Sequence, residues 1–349
     1  MSEFKHRLKK LDGLKEKCGA VLLMNFDEPF KDANYFYFTG NDSSYSVFLY
    51  DFSEARIITN KLELPKVESE SRIKNINVFE KGTRISESIR KNIGGVKTIG
   101  VNGNFPYFLA KKLSRRIVDI TDDLENIRAI KSAGEIKNIK KACEASDRIM
   151  CGLHEIIQTG VSEKEIIRFI KTETINNDCE RGFEPITNSG KKTAIPHETP
   201  SDRTVGRRDA VMTDIGCIKN KYNSDCTRMF FTGSINKKIK QRYELLKNIV
   251  AESEDFVQAG TKAAELDGII RKKLGALSKN FIHNSGHGVG LAVHEKPAIY
   301  GKSKDILGEG MVFTLEPGLY FKKYGLRIED TVLLTRNGIK VLTKAGKTI

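Results

Sequence analysis

Four acidic residues and one histidine lie in separate, strand-like segments of the second half of the chain, and a fold that uses them has to bring those segments together. They are Asp214 in Thr-Asp-Ile-Gly, Asp225 in Ser-Asp-Cys-Thr-Arg, His287 in Gly-His-Gly-Val-Gly, Glu316 in Glu-Pro-Gly and Glu329 in Arg-Ile-Glu-Asp. Carboxylates and imidazole are hard to borderline ligands, suited to divalent Mn, Co or Zn rather than to a thiolate-bound structural ion. Four carboxylates also match the charge of two divalent ions, so a dinuclear centre leaves no large uncompensated charge. The pattern implies a metallohydrolase.

Strand arithmetic supports convergence. A hairpin turning at Lys219-Asn220 sets Asp214 opposite Asp225, and one turning at Lys322-Lys323 sets Glu316 opposite Glu329. Cross-strand neighbours have Cβ atoms about 4.5–5.5 Å apart, and like charges there are destabilising unless a cation lies between them. The first turn is the weaker assignment, because Lys-Asn is not a strong two-residue hairpin sequence. Glycines on both sides of His287 allow close backbone approach. Arg327 precedes Glu329 by two residues, so strand alternation puts both side chains on one face, where Arg327 is expected to support a carboxylate or meet substrate. Arg228 is expected to be structural, and His6 and His154 carry no motif. No Gly-x-x-x-x-Gly-Lys-Ser/Thr sequence is present, so a nucleotide-phosphate loop is not expected.

The stretch from Phe183 to Gly233, with Phe-Glu-Pro-Ile, Ile-Pro-His197, Pro-Ser-Asp-Arg, Thr-Asp214-Ile-Gly and Asn-Ser-Asp225-Cys-Thr-Arg, resembles the Xaa-Pro peptidases of the pita-bread metallopeptidase superfamily. So does His283-Asn-Ser-Gly-His287-Gly-Val-Gly-Leu-Ala-Val-His294-Glu-Lys-Pro. The resemblance implies an α+β chain in which a smaller α/β domain precedes a curved antiparallel sheet backed by helices, with metals in its concavity. It implies two divalent ions held by Asp214, Asp225, His287, Glu316 and Glu329, with Glu316 moving protons and His197, His283 and His294 lining the pocket. The implied substrate is a peptide with proline second, cut before the proline, and the implied assembly is a homodimer. Dipeptidases of the family commonly carry His-Glu-x-Pro-Arg, whereas this chain has His294-Glu-Lys-Pro-Ala298. Lys296 substitutes there at most as a point charge without the arginine fork. The departure keeps an aminopeptidase P acting on longer peptides open beside the Xaa-Pro dipeptidase that the compact length favours. A methionine aminopeptidase, a creatinase-type hydrolase and a non-enzymatic binding protein fit the N-terminal domain or the complete ligand set less well.

The chain has 349 residues, enough for two domains, and a boundary is expected near Asp122, giving 1–122 and 123–349. The first part alternates strands and helices: an opening helix over 4–17, then strands at Ala20–Met24, Ala33–Gly40, Tyr45–Tyr50 and Ala55–Thr59. The second opens on Ser132-Ala-Gly-Glu135, a helix-capping pattern, and continues with helices from Ser162 to Ile175, Ile239 to Gln258 and Ala263 to Leu274. This helix-helix-strand order recurs once in each half of the second domain. Lys and Arg exceed Asp and Glu by 14 charges, but they are interleaved with acids and no nucleic-acid motif accompanies them, so a solvated basic surface is expected and no nucleic-acid partner. The opening Met-Ser-Glu-Phe-Lys-His-Arg lacks the apolar core of a signal peptide, and no apolar run is long enough to span a membrane. The six scattered cysteines include no Cys-x-x-Cys pair. A cytoplasmic location with reduced thiols is therefore expected, with Cys217 and Cys226 as small apolar fillers.

Overall fold

The structure, a computed structural model, describes residues 3–27, 30–113 and 115–347; Met1 and Ser2, at the head of the opening segment considered above, lie outside them. The chain divides into two compact units, Met1–Ile127 and Arg128–Ile349.

The first unit is built on a six-stranded mixed sheet. Its strands are β1 (Ala20–Asn25), β2 (Ser46–Tyr50), β3 (Ala55–Asn60), β4 (Ile76–Phe79), β5 (Thr98–Val101) and β6 (Arg116–Asp119), in the spatial order β4-β3-β2-β1-β5-β6. β1 and β2 are buried along their whole length, as central strands covered on both faces require. Leu22, Val47, Leu49, Ile58 and Ile99 meet the helices Ile85–Ile93 and Tyr107–Leu113 in one apolar cluster.

Two expectations fail here. Ala33–Gly40 reads as a strand from its aromatic residues, yet Ala33–Thr39 is a helix. Asp32 caps it by accepting from the Tyr35 amide at 2.8 Å, and Gly40 closes it at φ 70°, so two short-range end signals override β propensity. The opening helix stops at Leu11 and tightens into a 3₁₀ turn over Asp12–Leu14 instead of running to Lys17.

The second unit repeats one plan. Helices Ala133–Ile156 and Glu163–Asn176 precede β7 (Glu180–Arg181), β8 (Ile186–Ser189), β9 (Ala210–Ile215), β10 (Cys217–Lys219), β11 (Tyr222–Asn223) and β12 (Cys226–Phe231). Helices Lys237–Phe256 and Ala263–Leu274 then precede β13 (Gly286–Gly288), β14 (Glu295–Ile299), β15 (Val312–Leu315), β16 (Gly318–Phe321), β17 (Tyr324–Arg327), β18 (Asp330–Thr335) and β19 (Gly338–Val341). The paired strands of this unit are antiparallel throughout. The two helix pairs are joined alike. Gly160 and Gly260 both sit at φ 97°, and their amides donate at 2.8 Å to the carbonyls of Val205 and Leu307. Capping boxes start the first two helices at Ser132 with Glu135, as its sequence predicts, and at Ser162 with Glu165, where sequence marks the serine as the cap. The main core joins the second helix pair to the sheet through Leu246, Leu266, Ile270, Phe313, Leu326 and Val332, each inaccessible to solvent.

The two hairpins differ in how well sequence predicts them. β16 and β17 turn at Lys322-Lys323 with Gly318 opposite Arg327, and β15 pairs β18 in the same register, with Leu315 opposite Asp330. Glu316 and Glu329 stand across from each other between these two ladders. The other hairpin turns one residue later than expected, at Asn220-Lys221, with φ 51° and 71°. These are the left-handed conformations a two-residue hairpin of this hand needs. The slip moves the pairing by two residues, so Asp214 faces Thr227, not Asp225, while Asp225 lies in the short break before β12. A two-residue shift keeps every side chain on its face, and Asp214 and Asp225 remain diagonal neighbours.

Lys221 holds a conformation that costs an L-residue with a Cβ roughly 1–2 kcal/mol. Lys221→Gly, which creates Asn-Gly, is expected to raise stability by about 0.5–1 kcal/mol at unchanged m-value in urea unfolding. A lowered midpoint would show that contacts of the lysine outweigh its strain.

Candidate metal centre

The five residues singled out by sequence converge. Asp225, His287 and Glu329 each place one ligand atom within 4.8 Å of the others. His287 Nε2 lies 3.6 Å from Asp225 Oδ2 and 3.5 Å from Glu316 Oε1. Asp214 joins from β9 through Arg327, whose Nη2 donates to Asp214 Oδ2 at 2.5 Å. The strand pairings above explain the convergence: β9 and the β12 break bring the two aspartates, and the register shared by β15–β18 and β16–β17 brings the two glutamates.

Threonines and one tyrosine hold these groups in place. Thr227 donates to Glu329 Oε2 at 2.7 Å and accepts from Arg327 Nε at 2.9 Å, so a single hydroxyl links the arginine to the carboxylate. Thr331 accepts from the Asp225 amide and donates to the Asp225 carbonyl at 2.7 Å, fixing the backbone of the break. Thr314 donates to Glu316 Oε1 at 3.4 Å and accepts from the His287 amide at 3.1 Å. Tyr320 accepts from Arg327 Nη1 at 3.1 Å and lies 3.0 Å from His283 Nε2. Beneath them the buried Arg228 donates to the Glu329 carbonyl at 2.5 Å and to Asp330 Oδ1 at 2.7 Å.

The glycines around His287 matter for a reason other than torsional freedom. A Cβ on Gly286 would lie 1.9 Å from the Thr314 carbonyl oxygen, and one on Gly288 would lie 2.1 Å from that of Lys296. Both glycines let β13 press against backbone on either side, which sets the depth of the imidazole between them.

The histidines expected in the pocket are placed differently. His283 Nδ1 is 3.5 Å from Glu316 Oε2. His294 is exposed and packs on the His287 ring with centroids 4.2 Å apart. His197 sits on an exposed turn, electrostatically close to His283 and His294 but, among the described residues, without a hydrogen bond to the carboxylates. Lys296, the stand-in for the missing arginine, lies 3.8 Å from Asp305, so its charge is already partnered.

Electrostatics test whether the cluster suits a cation. Burial first, and the neighbouring carboxylates second, push Asp225 and Glu329 well above the carboxylate range. Burial pushes Glu316 up to about 8 against the pull of Arg327. Burial and the adjacent His294 take His287 down to about 4, which leaves a neutral imidazole able to ligate. Asp214 Oδ1 and Asp225 Oδ1 are buried with no hydrogen-bond partner. Orphaned buried oxygens and carboxylates that resist ionisation are what a polycation site looks like without its charge. The donor set therefore fits divalent ions.

Tyr320 and the threonines escaped the sequence reading. Thr227 follows Asp225 by two residues and so shares its face, and the β16–β17 register sets Tyr320 diagonal to Arg327. The hairpin pattern held that signal, but hydroxyl residues are too common in strands to stand out alone.

Known proteins resemble the chain over most of its length. Residues 137–336 match the model of metallopeptidase family M24, and residues 7–130 match the creatinase/prolidase N-terminal domain. The chain belongs to metallopeptidase family M24. It is 36% identical over 327 residues to an Xaa-Pro dipeptidase of Pyrococcus furiosus, covering 91% of this chain and 92% of that one. The solved prolidase of Pyrococcus horikoshii superposes with a TM-score of 0.91 at 34% identity, over 98% of this chain and 99% of the other. An X-Pro aminopeptidase from Thermotoga maritima gives 0.89 at 30% identity, over 98% and 99%.

Carboxyls whose native pKa is raised bind protons more tightly folded than unfolded, so stability without metal falls as pH rises. For Glu316 the loss runs from the ordinary value near 4.5 up to about 8. Metal-free protein is therefore expected to lose several degrees of Tm between pH 5 and 8, and saturating Mn²⁺ to flatten that slope, as scanning calorimetry reads out. Glu329→Gln should raise the metal-free Tm at pH 8 and shrink the gain on adding Mn²⁺. Equal slopes with and without metal would contradict a cation site.

Proposed function

We propose that the protein hydrolyses the peptide bond between an N-terminal residue and proline, acting foremost on Xaa-Pro dipeptides, with two divalent ions as cofactor. The observation that carries this reading is the convergence of Asp225, His287 and Glu329, joined by Glu316 beside His287 and by Asp214 through Arg327, in an M24 chain. Asp214, Asp225 and Glu329 would hold one ion, and Asp225, His287, Glu316 and Glu329 the other. Bound divalent ions supply Lewis acidity, lowering the pKa of water towards neutrality and drawing charge from a carbonyl.

The remaining steps belong to side chains. Glu316 would accept a proton from the attacking water and return it to the departing proline nitrogen, with the Thr314 hydroxyl 3.4 Å from its Oε1 helping to orient it. His294 and His197 would hydrogen-bond the substrate carbonyl as it becomes tetrahedral, while His283, taken down to about 4 chiefly by burial, would line the pocket as a neutral imidazole with Nδ1 2.8 Å from the Asn284 carbonyl and Nε2 3.0 Å from the Tyr320 hydroxyl. Arg327 acts through Asp214 and Thr227, holding two carboxylates in place rather than touching the reacting atoms.

One observation favours longer substrates as a second reading. Ala298 stands where family dipeptidases carry arginine, and Lys296 is engaged by Asp305, so a fixed cation for a dipeptide's carboxylate is missing from this stretch. A homodimer and a cytoplasmic setting belong to the same proposal. The setting is supported by six cysteines that are all free and by the lack, among the described residues, of a helix able to cross a membrane.

Purified protein loaded separately with Mn²⁺, Co²⁺ or Zn²⁺ is expected to release proline from Met-Pro and Leu-Pro faster than it removes the first residue of Xaa-Pro-Yaa. Glu316→Gln should lower turnover by roughly 10²–10⁴-fold with the fold retained, and Asp225→Ala should lower metal content together with turnover. Faster cleavage of tripeptides would assign the aminopeptidase reading, and near-normal hydrolysis by either variant would remove the scheme.

A further inference from the structure

Two cysteines away from the carboxylate cluster form a pair that hydrolysis does not use. Cys217 opens β10 opposite Arg181 of β7, and Cys179 precedes Arg181 by two residues. Strand alternation therefore directs Cys179 and Cys217 to one side of the ladder as diagonal neighbours. Both belong to one apolar cluster, where each perturbs the other electrostatically, and the Cys179 thiol donates to the Asn177 carbonyl at 3.4 Å. The members of the pair differ in access. Cys217 is inaccessible to solvent, with its amide donating to Ser224 Oγ at 3.0 Å. Cys179 lies in the wall of a groove of about 590 Å³, together with Ile175, Phe183 and the Glu184 that pairs with both Lys171 and Arg181.

The surroundings of Cys179 are also distinct from those of the other buried thiols. Lys219 Nζ donates to the carbonyls of Asn177 at 3.0 Å and Asp178 at 2.7 Å, and Arg148 Nε donates to Asn177 Oδ1 at 2.6 Å. Two cations thus brace the turn that presents the thiol. Within this pair Cys217, and then Lys219 and Arg148, lower the Cys179 thiol while Cys179 and burial raise Cys217, so any thiolate of the pair rests on Cys179; burial pushes Cys143 and Cys226 up. A cysteine in the groove wall, with a second cysteine on the same side of the ladder behind it, has the parts of a thiol–disulfide exchange site.

We propose that Cys179 and Cys217 form a reversible disulfide by exchange with a low-molecular-weight disulfide that enters this groove. The Cys179 thiolate attacks one sulfur of the small disulfide, forming a mixed disulfide and expelling one thiolate. The Cys217 sulfur then attacks Cys179 Sγ, forming the internal bond and expelling the second. Two protein thiols are oxidised and one small disulfide is reduced to two thiols, which take up the two protons. The bond would tie β7 to the strand between Asp214 and Asp225, so the redox state of the pair bears on the hairpin that carries both aspartates.

Oxidised glutathione is the probe, and Cys151→Ser in the full-length, metal-loaded protein is the background, because Cys151 is an exposed thiol. Intact mass and peptide mapping are expected to show the Cys179–Cys217 disulfide with no retained glutathione, reversed by dithiothreitol. Adding Cys217→Ala should trap glutathione on Cys179, and adding Cys179→Ser should slow all modification at least about tenfold. Circular dichroism on each variant separates loss of reactivity from loss of fold. Five unreacted thiols in the Cys151→Ser protein, or glutathione resting on Cys179 with Cys217 present, would overturn the proposal. Neither result depends on peptidase activity.

Discussion

The Arg327 guanidinium is the contact on which the buried acidic cluster depends. It is 2% exposed, donates directly to Asp214, reaches Glu329 through the Thr227 hydroxyl, and is itself held by Tyr320. Four carboxylates packed among strands would otherwise repel one another at an interior dielectric, where unpaired charge is costly. One planar cation with a fixed fork of donors can satisfy partners on three strands at once, which an ammonium cannot do. It leaves Asp214 Oδ1 and Asp225 Oδ1 without partners, and those oxygens are the opening for further positive charge.

The scaffold supplies the rigidity this arrangement needs. Glu316 and Glu329 are flanked on both sides by ladders of one register, so their separation is set by backbone pairing rather than by side-chain rotamers. His287 is set by two glycines that admit the Thr314 and Lys296 carbonyls where a side chain would clash. Asp225 lies in a break, but Thr331 holds its amide and carbonyl together. Each expected ligand thus has a backbone reason for its position. His197, by contrast, sits on an exposed turn.

Much of this was legible before any coordinates. The capping boxes at Ser132 and Ser162 read directly as helix starts, because those hydrogen bonds are local in sequence. The hairpin at Lys322-Lys323 and its register also followed from counting. The helix at Ala33–Thr39 did not, since its aromatic residues carry β propensity and the deciding signals were the single residues Asp32 and Gly40. The turn at Asn220-Lys221 was displaced by one residue because non-glycine residues with positive φ leave little trace in composition.

The division between sequence and tertiary structure follows the range of the forces involved. Sequence alone determined which residue types were present, where the long helices of the second unit begin, and that five metal-suited side chains occurred in a recognisable order. Those properties depend on short-range periodicity and on chemistry carried by single residues. Only the tertiary structure decided that Asp214 faces Thr227, that Thr227 and Tyr320 link Arg327 to the acids, and that Lys296 is engaged by Asp305. It also brought Cys179 against Cys217. These are contacts between residues far apart in the chain, and they exist only once strand register and burial have removed the alternatives.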